Sequence, residues 1–329
     1  MESKKGVISV QFNWVFILIA GVLILLFFGS LVLNLKKNSD ITIADTIITN
    51  MQTIMTGAEV SVRTINPITI PDKEIKFSCD SISIGDIRKD ITKNKIVFAP
   101  EVIKGRTLLA WALDWNTPYH VTNFLYLTTP NIKYVFIKPL DQEAEELFDL
   151  LPDKINKKKE DLSDIKDTGN YFKLVFFDYS NPQVPPHLNS VSNNKVSAIN
   201  IISGTNEIEF YKKKGAQFEP VGKANYLGNP MILGAMFSGN LEDYECNVEK
   251  AFNKLGIVSM VYEKRTDYLR DLYAGSSCIS YYDPSLFSEI AEISKEKITV
   301  NSIQLIKGLI NNIELKNENL QSYSCPTMY

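Results

Sequence analysis

Residues 14–35 read WVFILIAGVLILLFFGSLVLNL, twenty-two consecutive positions without a charge and with only Ser30 and Asn34 as clearly polar side chains. At about 1.5 Å of rise per residue, a helix of this length crosses the roughly 30 Å hydrocarbon layer of a bilayer. The run is longer than the apolar core of a cleaved secretory signal, and Gly29-Ser30 is followed by Leu-Val-Leu rather than by a polar mature start. A retained transmembrane helix over 12–35 is therefore expected, with Trp14 at one interface and a short cytoplasmic tail over 1–11. Lys4 and Lys5 precede the span and Lys36 and Lys37 follow it, so the charge bias is nearly balanced. The amino terminus tips the expectation toward a cytoplasmic N-terminus and a C-terminal domain outside.

The rest of the chain has the composition of a folded domain, with 45% hydrophobic and 22% charged residues in the 329-residue whole. Residues 1–40 carry four lysines against Glu2 and Asp40, so a net charge of −3 overall leaves the remainder acidic. An acidic domain gives no footing for nucleic acid, and the bilayer is the one partner the sequence names directly. Four cysteines, none in a CxxC pair and none near His120 or His187, predict disulfides rather than a metal site. No Asn begins an N-x-Ser/Thr sequon, which argues against a eukaryotic secretory origin.

Two resemblances lie at the N-terminus. Lys4-Lys5-Gly6-Val7 running into the apolar segment, with Gln11 at the fifth position after Gly6, resembles the class III signal of archaeal type IV pilins. That resemblance implies processing after Gly6 and a pilin-like first helix. The family commonly places Glu where Gln11 stands, and a neutral amide cannot offset a neighbouring subunit's terminal amine. The same start, followed by Ser9-Val-Gln-Phe-Asn-Trp14, is also similar to uncharacterised single-pass membrane proteins of small-genome archaea. The phrases VFAPEVIKGRTLLAWALDW, VTNFLYLTTP and SCPTMY extend that resemblance along the chain. It implies the anchor and a non-bacterial source and carries no activity.

Beyond the membrane, Ala44, Ile47, Ile48, Met51, Ile54, Met55 and Ala58 recur at helical spacing, predicting an amphipathic helix over 40–60. It either continues the membrane helix or starts afresh behind a Ser39 or Asp40 cap, and with fewer than three heptads it is expected to dock on the head rather than form a coiled coil. Residues 65–140 read as strands: IKFSC, SISIG, KIVFAP, TLLAWALDW, NFLYLTT and KYVFIKP. A helix over 142–151 stops at Pro152, and the Lys/Asp/Glu stretch 154–167 reads as a solvated connection. KYVFI, helix and KLVFF in that order predict a β-α-β unit with a parallel pair, and SAINIIS, EIEFYKK and AQFEPVG predict antiparallel hairpins. After Asn240 the pattern is helical, with caps at Asn240 and Asp283-Pro284 and a last helix over about 299–322. The expected class is α+β: a transmembrane helix, an amphipathic helix, and an extracytoplasmic mixed-sheet domain over 65–329 with a C-terminal helical cap.

Two places offer catalytic side chains. Asp114-Trp-Asn-Thr-Pro-Tyr-His120 holds an acid and an imidazole beside two aromatics, and equally reads as a turn between strands with its aromatics packed. Asp178 follows the apolar strand KLVFF, where α/β folds place functional carboxylates, and equally reads as an Asx-turn residue. No nucleotide, serine-hydrolase or zinc-protease motif is present, so no cofactor is implied. For the cysteines, a thirty-residue helix would keep Cys278 away from Cys246. If the last long helices pack antiparallel, the expected pairs are Cys246 with Cys325 and Cys79 with Cys278. Three functions stay open: an envelope-anchored interaction or structural protein, a pilin-like subunit that self-assembles, and a tethered enzyme using Asp114 with His120 or Asp178.

Overall fold

The computed structural model describes residues 5–70, 72–91, 94–166 and 169–329, with side chains outside 5–13 and 34–40. At the processing positions Gly6, Val7 and Gln11 only the backbone is described, and the side chains of Val7 and Gln11 lie outside the described residues. Helix α1 runs unbroken from Lys5–Val60, 56 residues and about 84 Å. It contains no proline, and the Lys36-Lys37-Asn38-Ser39 step is not a breaker, so the amphipathic segment continues the apolar segment rather than starting anew. Trp14–Leu33 has a mean hydropathy of 3.0 and packs against nothing in the protein. Farther along, Ala44, Ile48, Met51, Met55 and Ala58 are buried on one face. On the open face Thr46, Thr49, Thr53 and Thr56 return their hydroxyls to the carbonyl four residues back, which satisfies them within the helix.

The docked face of α1 meets two small sheets. The strands are β1 (Ile65–Thr69), β2 (Ile75–Ser78), β3 (Ser81–Ile84), β4 (Ile87–Asp90), β5 (Val97–Phe98), β6 (Val102–Ile103), β7 (Thr107–Asn116) and β8 (His120–Thr128). They form one sheet in the order β1-β7-β8-β5 and another in the order β4-β3-β2-β6. Alternation along the long hairpin β7–β8 divides its residues between two cores. Leu108, Ala110, Ala112, Leu125 and Leu127 join the cluster under α1, where the alanines leave room for the helix. Trp111, Leu113, Trp115, Phe124 and Tyr126 join the larger cluster under the helical cap. Residues 44–58 therefore pack as part of the head, ahead of the expected boundary at 65.

The third sheet contains β9 (Ile132–Ile137), β10 (Lys157–Glu160), β11 (Tyr171–Phe177), β12 (Val196–Ile202), β13 (Glu207–Lys214) and β14 (Gln217–Asn225), with α2 (Gln142–Leu150) between β9 and β10. Its order is β10-β9-β11-β12-β13-β14. β9 and β11 pair in parallel as the KYVFI and KLVFF segments predict, and β12–β14 are antiparallel. The stretch 154–167 corrects the expectation of a solvated connection, because KKKE within it forms edge strand β10, parallel to β9. Edge strands tolerate lysine, so the apolar alternation that marks a strand is missing there. Both faces of the central strands are covered, which explains their continuous apolar runs.

The cap comprises α3 (Asn229–Phe237), α4 (Leu241–Leu272), α5 (Ser285–Ile293) and α6 (Val300–Ser322). Asn240 accepts the Asp243 N–H at 2.8 Å, and Thr299 and Ser302 cap α6 reciprocally. At the start of α5 the Asp283 carboxylate accepts the Ser285 N–H at 3.2 Å. Helix α4 passes straight through Gly256, where a Cβ would stand only 3.3 Å from Ser294, the residue that caps the end of α5.

The disulfides are Cys79–Cys246 and Cys278–Cys325, with Cα atoms 6.1 and 6.0 Å apart, which corrects both expected pairs, Cys246 with Cys325 and Cys79 with Cys278. Two facts account for it. The β2–β3 turn seats on the first turns of α4, where Asp243 accepts the Cys79 N–H at 2.8 Å and Lys250 donates to the Cys79 carbonyl at 2.8 Å. Helix α5 packs on both α4 and α6, and the bridge from Cys278 to Cys325 brings the segments following α4 and α6 together. The long helices thus have their C-terminal ends on one side, instead of the antiparallel arrangement expected.

Candidate functional site

The β7–β8 hairpin separates its polar and aromatic residues by strand alternation. Trp115 and Tyr119 point into the core, where the Trp115 Nε1 donates to the Leu227 carbonyl at 3.1 Å and the Tyr119 hydroxyl lies 2.6 Å from Ser259 Oγ. Burial pushes the Tyr119 phenol up to about 12. Neither ring is available as a stacking platform. On the outer face Asn116 stands between the two candidates, donating to Asp114 Oδ2 at 2.6 Å while its Oδ1 lies 3.1 Å from His120 Nδ1. Arg63 adds an ion pair to Asp114 at 3.6 Å. Asp114 and His120 are thus tied through an amide at the hairpin's end, rather than converging on a ligand.

Asp178 sits in the left-handed region at φ 52° and accepts the Ser203 N–H at 3.1 Å, which is turn work. It lies at the C-terminal end of β11. Cys79, Asp80 and Cys246 bring potential ligand atoms within 4.8 Å of one another, but both sulfurs are spent in the disulfide.

A cleft of 540 Å³ opens at the other end of the parallel strands, between the starts of β9, β11 and β12, the chain at 100–104 and the end of α3. None of the candidates Asp114, His120 and Asp178 lines it. Its inner wall carries Lys173, whose residue is only 5% exposed. Three lysines of this sheet are buried to this degree, and an ammonium has three N–H bonds to place. Lys133 meets both Glu160 oxygens at 3.2 Å. Lys213 donates to the Asn189 and Val191 carbonyls and to Asn193 Oδ1 at 3.1, 2.7 and 3.4 Å. Among the described residues Lys173 reaches only the Ser238 carbonyl, at 3.1 Å, with the Phe210 ring centroid 5.7 Å away. Burial, with no opposing carboxylate, pushes its ammonium down to about 7.

Lys173 was not among the candidates, although the signal is visible: YFKLVFF places one cation inside an otherwise apolar strand. Its neighbours in space come from residues 100–104, 193–197, 212–213 and 236–239, and no spacing rule joins those segments. The chain matches no protein-family model, no curated protein and no solved structure.

Proposed function

We propose that the chain is a membrane-anchored structural or interaction protein of the cell envelope, with its head outside the cytoplasm. The observation that carries this reading is the continuity of α1. One helix has a bare apolar half long enough to span a bilayer and a second half buried in the head. A head mounted this way is held at a fixed attitude to the membrane, which suits presentation of a surface. Two disulfides and no free cysteine fit an oxidising compartment.

The surface such a mount presents includes α4. Helix α1 ends beside the β7–β8 hairpin, where Asn123 donates to the Glu59 carbonyl at 2.9 Å. Helix α4 passes that hairpin at Lys254 and Ser259 and runs three turns farther, exposing Ile257, Val261, Tyr268 and Leu272. Exposed large apolar groups along one helix are the composition of a contact surface. Protease added to intact cells is expected to digest the head and leave a small anchored fragment. A head protected until detergent is added, while an exterior control is cut, overturns the orientation.

A pilin-like subunit is the second reading, favoured by the same helix: a protruding apolar half and a docked half match the layout that the class III signal implies. Mass spectrometry of the mature protein separates the two. An N-terminus at Val7 supports the subunit, and one at Met1 or Glu2 removes it.

A further inference from the structure

A buried amine with two idle donors is an unusual thing to keep, because burying an unmet polar group costs stability. The same sheet shows how buried lysines are otherwise satisfied, by a carboxylate at Lys133 and by three oxygens at Lys213. Lys173 has neither among the described residues, and it is one of the residues that line the cleft. The missing acceptor is therefore to be sought in whatever occupies the cleft.

The lining fixes the sign of that occupant. Lys173, Lys195 and Lys212 stand against one remaining acid, Glu101, because Lys104 pairs with Glu74 and the Lys213 ammonium is held by Asn189, Val191 and Asn193. Glu74 is already engaged by Lys104 at 2.8 Å and by Lys76 at 3.8 Å. Lys195 stands 5.5 Å from the Tyr171 ring centroid, and Lys212 is exposed at the rim. Cations at a mouth with low-dielectric walls concentrate anions there. Behind them Ile132, Tyr134, Met236 and Phe237 give an apolar floor. The volume of 540 Å³ lies within the roughly 300–1,000 Å³ common to small-molecule sites.

We propose that this cleft binds a small organic anion, a phosphate or carboxylate carried on an apolar body, with Lys173 as the buried cation that meets its charged end. A cationic ligand would face an excess of like charge, and an apolar one would leave the Lys173 donors unmet. The anion's oxygens accept the two idle N–H bonds, and the rim lysines draw it in.

The test uses the full chain in phosphatidylcholine nanodiscs, labelled near neutral pH with trinitrobenzenesulfonate and mapped by mass spectrometry. Lys173 is expected to react ahead of the exposed lysines. Millimolar pyrophosphate or hexanoate is expected to slow that reaction roughly tenfold, with matched sodium chloride without effect. Protection by pyrophosphate alone assigns a phosphate ligand, and protection by hexanoate alone a carboxylate. Protection in phosphatidylglycerol nanodiscs without soluble anion assigns a lipid headgroup as the source. In calorimetry with the protecting anion, K173M is expected to lose binding while keeping the parent's circular dichroism, and K104M to bind several-fold more weakly. The proposal is overturned if Lys173 does not react, if none of the three anions protects it, or if folded K173M binds with unchanged affinity.

Discussion

At the scale of single residues, Lys173 makes a claim about stability as well as binding. Its ammonium is held down to about 7 against an ordinary 10.5, so between those pH values the unfolded chain holds the extra proton. Stability therefore rises with pH across that window, and the penalty is full below about pH 7. Lys173→Met removes the amine and keeps the volume. It is expected to stabilise the protein by on the order of 2 kcal/mol near pH 7 or below, with the gain shrinking toward about pH 10. Denaturant midpoints at the two ends of the window check this, and a variant less stable than the parent at every pH refutes it. Asn247 is the opposite case, a buried polar side chain fully used. It accepts the Val97 N–H at 3.1 Å and donates to the Val97 and Asp243 carbonyls, both at 2.9 Å, clamping strand β5 to α4. Asn247→Ala strands both polar groups of Val97 and is expected to cost about 2–3 kcal/mol, read by equilibrium unfolding. The inward periodicity of YECNVEKAF places Asn247 on the core side of α4, but nothing in the sequence names Val97 as its partner.

At the scale of elements, the parts that were legible are those whose burial is periodic. TLLAWALDW, NFLYLTT and KYVFIKP form β7, β8 and β9, and the cap at Asn240 appears where its side chain could supply it. The parts that escaped are those settled by a distant neighbour. Strand β10 is charged because it lies at an edge, and the apolar helix α3 is buried on all sides between two sheets and α4. The disulfides depended on where α5 turned the chain and where the β2–β3 turn landed, neither of which is local. Their spans of 167 and 47 residues correspond, in the chain-entropy description, to about 5 and 4 kcal/mol. Replacing Cys79 and Cys246 together by alanine is expected to cost about 2–5 kcal/mol. Urea unfolding should show it, and peptide mapping without reductant should recover Cys79 joined to Cys246.

At the scale of the whole molecule, the apolar span and the head share a helix, so their boundary lies inside an element. Ala44, Ile48, Met51, Met55 and Ala58 fill one core cluster from α1. A chain beginning at Ser39 is expected to be soluble and to unfold cooperatively. One beginning at Thr64 bares the apolar face of β7 and β8 and is expected to aggregate, as size-exclusion chromatography would show. Equal behaviour of the two would mean that the docked half of α1 is dispensable. The two cross-links also set how the head would respond to pulling. A tensile load applied between the apolar span of α1 and the C-terminus follows covalent bonds from α1 to Cys79, across to Cys246, along α4 to Cys278, and across to Cys325. The intervals between the paired cysteines are bypassed, so most of the head can lose its fold without lengthening the tether. Cutting the first bridge alone would release slack of roughly 550–600 Å. The oxidised head can thus pay out only the segments outside the two bridged intervals, and a thiol reductant would turn it into a far longer, more compliant link.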